Sequence, residues 1–186
     1  PGAEVDELMR YVPGPDLPTG GKIVGLDGIR AAYATGRGIF RTRATARIEQ
    51  VSPRRRGIVI TELPFAVGPE KIIDQIKVLV RSKKITGISD VKDLTDLTHG
   101  LRLVIEVKNG INPEALLAQL YKHTKLEDSF GINAVALVDG QPRTMTLKEM
   151  LQVYLDHRLE ARQVPARQGP GPPAPGRGPP AGHDRH

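Results

Sequence analysis

Between residues 58 and 138, the apolar positions follow two different patterns in turn, and each change of pattern predicts a new element. Short apolar runs rich in Val and Ile are typical of buried strands, whereas apolar residues every three or four positions are typical of a helix packed on one side. The pattern predicts strand, helix, strand, strand, helix and strand over residues 58–63, 69–81, 87–91, 101–107, a segment opened by Asn112 and Pro113, and 132–138.

This order predicts an α+β fold. Its centre would be an antiparallel sheet with a βαββαβ core (a ferredoxin-like plait) that carries both helices on one face. A further strand, rich in arginine, would extend this sheet or form a ribbon beside it. A C-terminal helix is predicted from Thr146 to Glu160, opened by a capping box of Thr146 and Glu149.

The first 35 residues contain shorter elements. Residues 4–12 predict a short helix, and the run of prolines and glycines from Pro13 to Gly21 predicts irregular structure. Residues 22–24 resemble a strand in pattern. Asp27 is the predicted N-cap of a short helix over residues 28–34.

Composition changes sharply after the C-terminal helix and divides the chain into two parts. We expect one domain over residues 1–160 and a disordered tail, rich in Pro, Gly and Arg, over residues 161–186. The tail begins in the middle of a helix without a cap, and we hypothesise a reading-frame slip or a fragmentary gene sequence. The chain begins with Pro1, so we expect a piece of a longer protein.

Residues 36–57 form the arginine-rich stretch. Between Phe40 and Ile48 the polar and apolar residues alternate, so a strand here would have a cationic face and a face that packs on the core. Guanidinium groups bind phosphate in a bidentate manner, which favours anion binding, although a merely solvated charged face is the alternative. The cations are Arg37, Arg41, Arg43, Arg47, Arg54, Arg55 and Arg56, the last three in a predicted turn after Pro53.

Total charge and cysteine content narrow the class of protein. The chain of 186 residues has a net charge of +6 and no cysteine, which excludes disulfides, zinc fingers and thiol catalysis. The arginine-rich stretch has seven arginines and one acid, Glu49, and by itself supplies +6. A basic stripe on a near-neutral body is typical of a nucleic-acid-binding protein.

Other candidate chemistry is weaker. The glycine-rich loop at residues 13–21 lacks the G-K-[ST] ending of a phosphate-binding loop. Asp90, Asp93 and Asp96 lie in a predicted hairpin connection and are expected to be solvated turn residues. No metal site is therefore predicted, and the scattered histidines suggest no ligand set.

Six collinear motifs resemble a known family. They are PGPDLPTGG at 13–21, AYATGRG at 32–38, ITELPFAV at 60–67, SFGIN at 129–133, DGQPR at 139–143 and LKEML at 147–151. Together they resemble the breakage-reunion subunit of type IIA DNA topoisomerases, which is the A subunit of bacterial DNA gyrase or its topoisomerase IV counterpart. The similarity covers about Val5 to Glu160 and corresponds to the family's tower domain.

The resemblance implies a supporting role in a larger enzyme. In the family, a tyrosine in a preceding winged-helix domain attacks a DNA phosphate, and its motif is not found in this chain. The resemblance therefore implies no catalytic residue here and a fragment that is inactive alone. Magnesium and ATP are expected on the partner B-type subunit. The resemblance also implies a cytoplasmic, nucleoid-associated bacterial enzyme, but it does not distinguish gyrase from topoisomerase IV.

The expected partner is duplex DNA, whose bent gate segment the tower supports through backbone contacts with little base readout. A homodimer is expected only with the family's coiled coil, which would follow residue 160. The predicted DNA-binding residues are Arg37, Arg41, Arg43 and Arg47, with Lys22, Arg54, Arg55 and Arg56 as weaker candidates.

Two alternatives from other classes remain open at this point. A free-standing plait that binds RNA would stack bases on sheet aromatics, yet strands 58–63 and 101–107 contain none. A structural or dimerisation module would pair its arginines with its own acids. The salt dependence of duplex binding separates these alternatives.

Overall fold

A computed structural model describes residues 1–163 of the chain. Its elements are α1 (Val5–Tyr11), β1 (Lys22–Val24), α2 (Asp27–Thr35), β2 (Arg37–Arg43), β3 (Thr45–Ser52), β4 (Arg55–Glu62), α3 (Pro69–Arg81), β5 (Ile88–Asp93), β6 (Leu103–Val107), α4 (Pro113–His123), β7 (Glu127–Asn133), β8 (Val135–Val138), β9 (Gln141–Thr144) and α5 (Leu147–Gln163). The predicted tail overlaps this range only at 161–163, which belong to α5, and its remainder lies outside the described residues. No helix within residues 1–163 combines the length and apolarity that a membrane crossing requires.

The main core lies between a four-stranded antiparallel sheet and two helices. The sheet has the order β3-β4-β6-β5, and its apolar residues pack against α3 and α4 because both helices have an apolar stripe. The predicted α+β class and the β4-α3-β5-β6 succession are therefore confirmed. The central side chains of this core are the fully buried Ile58, Ile60, Ile72, Ile76, Leu103, Ile105 and Leu120.

The prediction that residues 132–138 form the last strand of this sheet is wrong. Residues up to Asn133 belong to β7, which pairs with β2, and Val135–Val138 forms a separate hairpin with β9. The edge beside β4 is instead occupied by β3, which supplies Ala46 and Ile48 opposite Ile60 and Ile58. A tight hairpin joins β3 to β4, so closing this short connection costs less entropy than recruiting a distant strand.

The arginine-rich stretch does not form one strand, because it changes sheets at Ala44. The N–H of Ala44 donates to the Leu126 carbonyl at 2.7 Å, and the Tyr121 hydroxyl donates to the Ala44 carbonyl at 3.3 Å. Residues before the break lie in β2 of a second sheet, with the order β1-β2-β7, and residues after it lie in β3. The inward and outward alternation continues through the break, since Phe40, Thr42 and Ala44 are all buried.

Helix α2 packs directly on the backbone of β2. A methyl group on Gly28 would lie 1.9 Å from the Ile39 carbonyl oxygen, and one on Gly38 would lie 2.3 Å from the Gly28 oxygen. Only glycine permits this approach. The helix begins at Asp27 with Leu26 as its N-cap, so the predicted capping role of Asp27 is wrong by one position.

Helix α5 begins as predicted and is longer than predicted. The Glu149 N–H donates to the Thr146 hydroxyl at 3.1 Å, which confirms the N-cap half of the capping box. The helix continues to Gln163, and none of its residues is buried.

Candidate nucleic-acid interface

One surface of the β1-β2-β7 sheet collects half of the predicted DNA-binding residues. Directly paired residues of antiparallel strands point to the same side of a sheet, and the pairings align Lys22 with Arg43 and Arg43 with Glu127. Alternation along β2 adds Arg37 and Arg41 to the same side. We call this surface the cationic face; its cations are Lys22, Arg37, Arg41 and Arg43.

Small or exposed residues separate the cations and leave the face open. Ile39, between Arg37 and Arg41, is 71% exposed, and it pairs with Gly131 on β7. Arg41 pairs with Ser129. Nothing within residues 1–163 therefore covers the centre of this face.

The opposite side of the same sheet is packed and holds β2 in place. Phe40 lies with its ring 5.5 Å from that of Phe130, which in turn lies 5.7 Å from Phe65 in an edge-on arrangement. The buried Thr42 hydroxyl donates to the Asp128 carbonyl. This packing makes the strand that carries the arginines a rigid support.

Glu127 binds two of the arginines at once. Arg41 Nη2 lies 3.0 Å from Glu127 Oε1, while Arg43 places Nη2 and Nε at 2.6 and 2.8 Å from Oε2. The Glu127 side chain is 8% exposed and that of Arg41 is 64% exposed. The carboxylate thus lies beneath the guanidinium groups and leaves the outer N–H groups of Arg41 in water.

Tyr121 of α4 supports Arg43 from below. The guanidinium carbon of Arg43 lies 4.5 Å from the centre of the Tyr121 ring, a cation–π contact. Burial raises the pKa of Tyr121, and the nearby Arg43 charge opposes this shift. These residues line a cleft of about 470 Å³ between the cationic face and α4, together with Glu114 and Lys122.

The loop before β1 is fixed by Glu62, which thereby positions Lys22. The Thr45 hydroxyl and the Gly21 N–H both donate to Glu62 Oε2, at 2.6 and 2.9 Å. These hydrogen bonds, that from Thr45 first, lower the pKa of Glu62. Both Gly20 and Gly21 have positive φ, so the PGPDLPTGG loop reaches this contact through glycine backbone geometry.

Arg47 does not belong to the cationic face, so the predicted single row of arginines is wrong. Arg47 pairs with Val59 in the four-stranded sheet. Its neighbours Ala46 and Ile48 pair with Ile60 and Ile58, which face α3 and α4. By alternation, Arg47 points to the side of that sheet turned away from the helices.

The three consecutive arginines also have different positions from those predicted. Only Arg54 lies in the turn, because β4 begins at Arg55. Arg55 lies 3.6 Å from the Glu106 carboxylate and contacts the Ser89 hydroxyl. Arg56 pairs across the hairpin with Gln50.

Of the three acids predicted for the hairpin connection, Asp90 and Asp93 lie in strand β5, so their predicted turn position is wrong. Asp93 Oδ1 accepts hydrogen bonds from the N–H and the hydroxyl of Thr95. Asp96 accepts from His99, whose ring and backbone N–H groups lower the pKa of Asp96. Within residues 1–163, no three His, Cys, Asp or Glu side chains converge as a metal site.

Sequence reasoning missed Glu127, Tyr121 and Glu62. Glu127 becomes a partner of Arg43 only because β7 pairs with β2, whereas the strand predicted for this region began only at Ile132. Glu62 ends a strand and lies in the ITELPFAV motif, which contributed to the family resemblance but did not indicate the contacts with Thr45 and Gly21. No motif included Glu127 or Tyr121.

An α+β domain with an open, cationic sheet face has the features of a protein that binds a polyanion. The family model for the A subunit of DNA gyrase/topoisomerase IV matches residues 2–166, and the chain belongs to this family. The resemblance inferred from the six motifs is therefore confirmed.

Curated relatives agree with this assignment. The chain is 49% identical over 159 residues to the A subunit of DNA gyrase from Halalkalibacterium halodurans, covering 86% of the chain and 19% of that protein. It is 50% identical over 162 residues to the A subunit of DNA gyrase from Pseudomonas aeruginosa, covering 86% of the chain and 17% of that protein. The chain thus spans less than a fifth of the length of these relatives.

Proposed function

We propose that this chain is a DNA-supporting part of a type IIA topoisomerase A subunit, and that its cationic face holds the phosphate backbone of duplex DNA. One observation carries the proposal: Lys22, Arg37, Arg41 and Arg43 share one open sheet face that has a single carboxylate, Glu127, among its paired residues. The face therefore has a net positive charge directed at solvent.

The spacing of the arginines suits a nucleic-acid backbone. Alternate residues of a strand lie roughly 6.6 Å apart, close to two phosphate steps of one DNA strand measured along the duplex axis, about 3.4 Å each. Arg41 gives Glu127 only one nitrogen contact, at 3.0 Å, so most of its five N–H donors remain for phosphate oxygens. The Tyr121 ring and Glu127 restrict Arg43, which lowers the entropy lost on binding.

In the intact enzyme, this part would support the bent gate segment during ATP-dependent double-strand cleavage, passage and religation. The family's nucleophilic tyrosine would come from a domain outside the matched region, so this chain alone would be inactive. Magnesium and ATP would bind to the B-type partner subunit. Tyr121 is committed to Arg43 and to the Ala44 carbonyl, which suits a structural role.

Salt-dependent binding of the 186-residue chain to a short duplex tests the proposal. Affinity should fall steeply with salt, and Arg37→Ala with Arg41→Ala should make the log–log slope shallower by about two, on all sequences equally. The matched control is Lys71→Ala with Lys77→Ala on α3, two exposed cations outside this face. Absence of duplex binding at low salt, or equal effects of both double variants, would overturn the proposal.

The RNA-binding plait is less well supported. Phe40 is 3% exposed and packs against Phe130, which in turn contacts the partly exposed Phe65, so these rings pack on one another and do not form an open stacking surface on a sheet. The structural module, in which arginines serve only internal ion pairs, corresponds to the negative outcome of the binding test.

A further inference from the structure

A second cationic cluster lies at the end of the four-stranded sheet, apart from the cationic face. Arg54 in the β3–β4 turn, Arg56 at the start of β4 and Lys108 after β6 line one pocket of about 200 Å³. Asn109 and Gly110, from the loop that leads into α4, complete its polar lining. We call this the hairpin pocket.

The hairpin pocket has no acid among its lining residues, unlike the surroundings of several other arginines. Within residues 1–163, Arg41, Arg43, Arg55 and Arg102 each lie within 4.0 Å of a carboxylate, whereas Arg54, Arg56 and Lys108 form no such pair. The polar side chains that line the pocket are therefore hydrogen-bond donors, with the Asn109 amide as the one group that also accepts. These three cations line one pocket without a carboxylate, and uncompensated positive charge there favours an anion.

The size of the pocket limits the anion to a small one. Pockets for small molecules usually enclose about 300 to 1,000 Å³, so 200 Å³ is too small for a nucleotide. A single phosphate group with part of its hydration shell suits this volume. Two guanidinium groups can bind its oxygens in a bidentate manner, and an ammonium group adds a third charge.

We infer that Arg54, Arg56 and Lys108 form a second phosphate-binding site, which takes a backbone phosphate of a nucleic acid. This source rests on the proposed function, since a duplex held at the cationic face has further phosphates along its path. The two sites lie along the same helix, because the cleft beside Arg41 and Arg43 is lined by α4 residues and the hairpin pocket by the residues that precede α4. A free phosphate ion has the same chemistry and is the alternative source.

Two measurements on the 186-residue chain test this site. The first compares duplex binding by the triple variant Arg54→Ala, Arg56→Ala, Lys108→Ala with a control triple, Lys71→Ala, Lys77→Ala, Lys148→Ala, which changes the net charge equally at exposed positions. We expect the pocket triple to bind about tenfold more weakly at low salt, with a slope shallower by about one than that of the control. Thermal unfolding of both triples checks that the fold is retained.

The second measurement follows the side-chain Nε–H signals of Arg54 and Arg56 by NMR during titration with inorganic phosphate, against chloride at equal ionic strength. Saturable shifts specific to phosphate support the site, even if the substituted triple fails to fold. If phosphate shifts these signals while the pocket triple binds duplex like its control, the site takes free phosphate. If neither signal responds to phosphate beyond chloride, the inference is overturned.

The outcomes also separate this inference from the proposed function. Loss of binding in the Arg37 and Arg41 double variant, with no effect of the pocket triple and no phosphate shift, overturns the hairpin pocket alone. Absence of duplex binding by the parent chain overturns the proposed function, and the phosphate titration then decides the pocket by itself.

Discussion

Replacing Glu127 by Gln should weaken the fold slightly and strengthen duplex binding. The side chain keeps its size, but the negative charge shared by Arg41 and Arg43 is removed. Stability falls because the Gln amide has one acceptor oxygen where Glu127 has two, so one arginine keeps a hydrogen bond to an uncharged acceptor and the other loses its partner. A bound phosphate, by contrast, no longer lies near a like charge. The opposite signs of the two effects make this variant informative.

The stability cost should be modest. Ion pairs between exposed groups contribute about 0.2 to 1 kcal/mol each, and the Arg41 side chain is 64% exposed. Arg43 is more enclosed and forms two contacts with Glu127, at 2.6 and 2.8 Å. We expect a total loss of about 1 to 2 kcal/mol, because both arginines regain water when the carboxylate is neutralised.

The gain in binding follows from Coulomb's law. A phosphate on the outer side of Arg41 would lie roughly 6 Å from the Glu127 carboxylate, which repels it by about 0.7 kcal/mol in bulk water and about 1.4 kcal/mol at a dielectric constant near 40. Removing the charge should tighten binding about three- to tenfold. Arg43 remains held by the Tyr121 ring, so most of its orientation is retained.

Urea unfolding and fluorescence titration of a labelled duplex at several salt concentrations measure the two effects. The control is Glu149→Gln on α5, an exposed position that changes the net charge by the same amount. The salt slope of the Glu127 variant should steepen by about one relative to this control. Unchanged or weaker binding would refute the reasoning, since it would mean that the carboxylate aids binding and does not limit it.

Three further predictions concern the supports of the cationic face. The pKa of Glu62 lies below its ordinary value of 4.5 in the folded state, so its contribution to stability is present above that value and is lost as pH falls through the folded pKa. In urea unfolding between acidic and neutral pH, Glu62→Gln should therefore lose less stability on acidification than the parent chain. Identical pH profiles would contradict this role. Gly28→Ala should destabilise by about 1 to 3 kcal/mol or more, because the new methyl group would lie 1.9 Å from the Ile39 oxygen, whereas Gly131→Ala has nothing within 4 Å and should be close to neutral in thermal unfolding. Tyr121→Phe should cost about 0.5 to 1.5 kcal/mol by leaving the Ala44 carbonyl without this donor, and retention of full stability would show that the bond has no net value.

Local periodicity predicted the elements well because each one buries its own apolar residues. Ile72, Ile76 and Leu79 are buried on α3, as the apolar stripe required. The outward direction of Arg41 and the burial of Phe40 also follow from alternation alone.

Strand pairing was less predictable, because it depends on contacts between residues distant in the sequence. The apolar run at 132–138 contains the last two residues of β7 and the whole of β8, which belong to different sheets and are separated by Ala134. The Ala134 N–H donates to the Gly36 carbonyl, and its own carbonyl accepts from the Met145 N–H. The periodicity of apolar residues does not report such hydrogen bonds between distant segments. For the same reason, it could not identify Glu127 as a partner of Arg41 and Arg43.

The break at Ala44 limits how many cations of the arginine-rich stretch a straight duplex can contact. One continuous strand over residues 37–56 would extend its cations over roughly 65 Å, but the structure divides them between two sheets. A straight duplex on the cationic face would then contact at most Lys22, Arg37, Arg41 and Arg43, which limits the salt slope to about 3.6. A steeper slope requires the duplex to curve towards other cations, such as those of the hairpin pocket. DNA curves more easily at flexible base steps than in stiff A-tracts. The salt slope of binding should therefore depend on the deformability of the DNA, although the protein makes no specific contact with base edges.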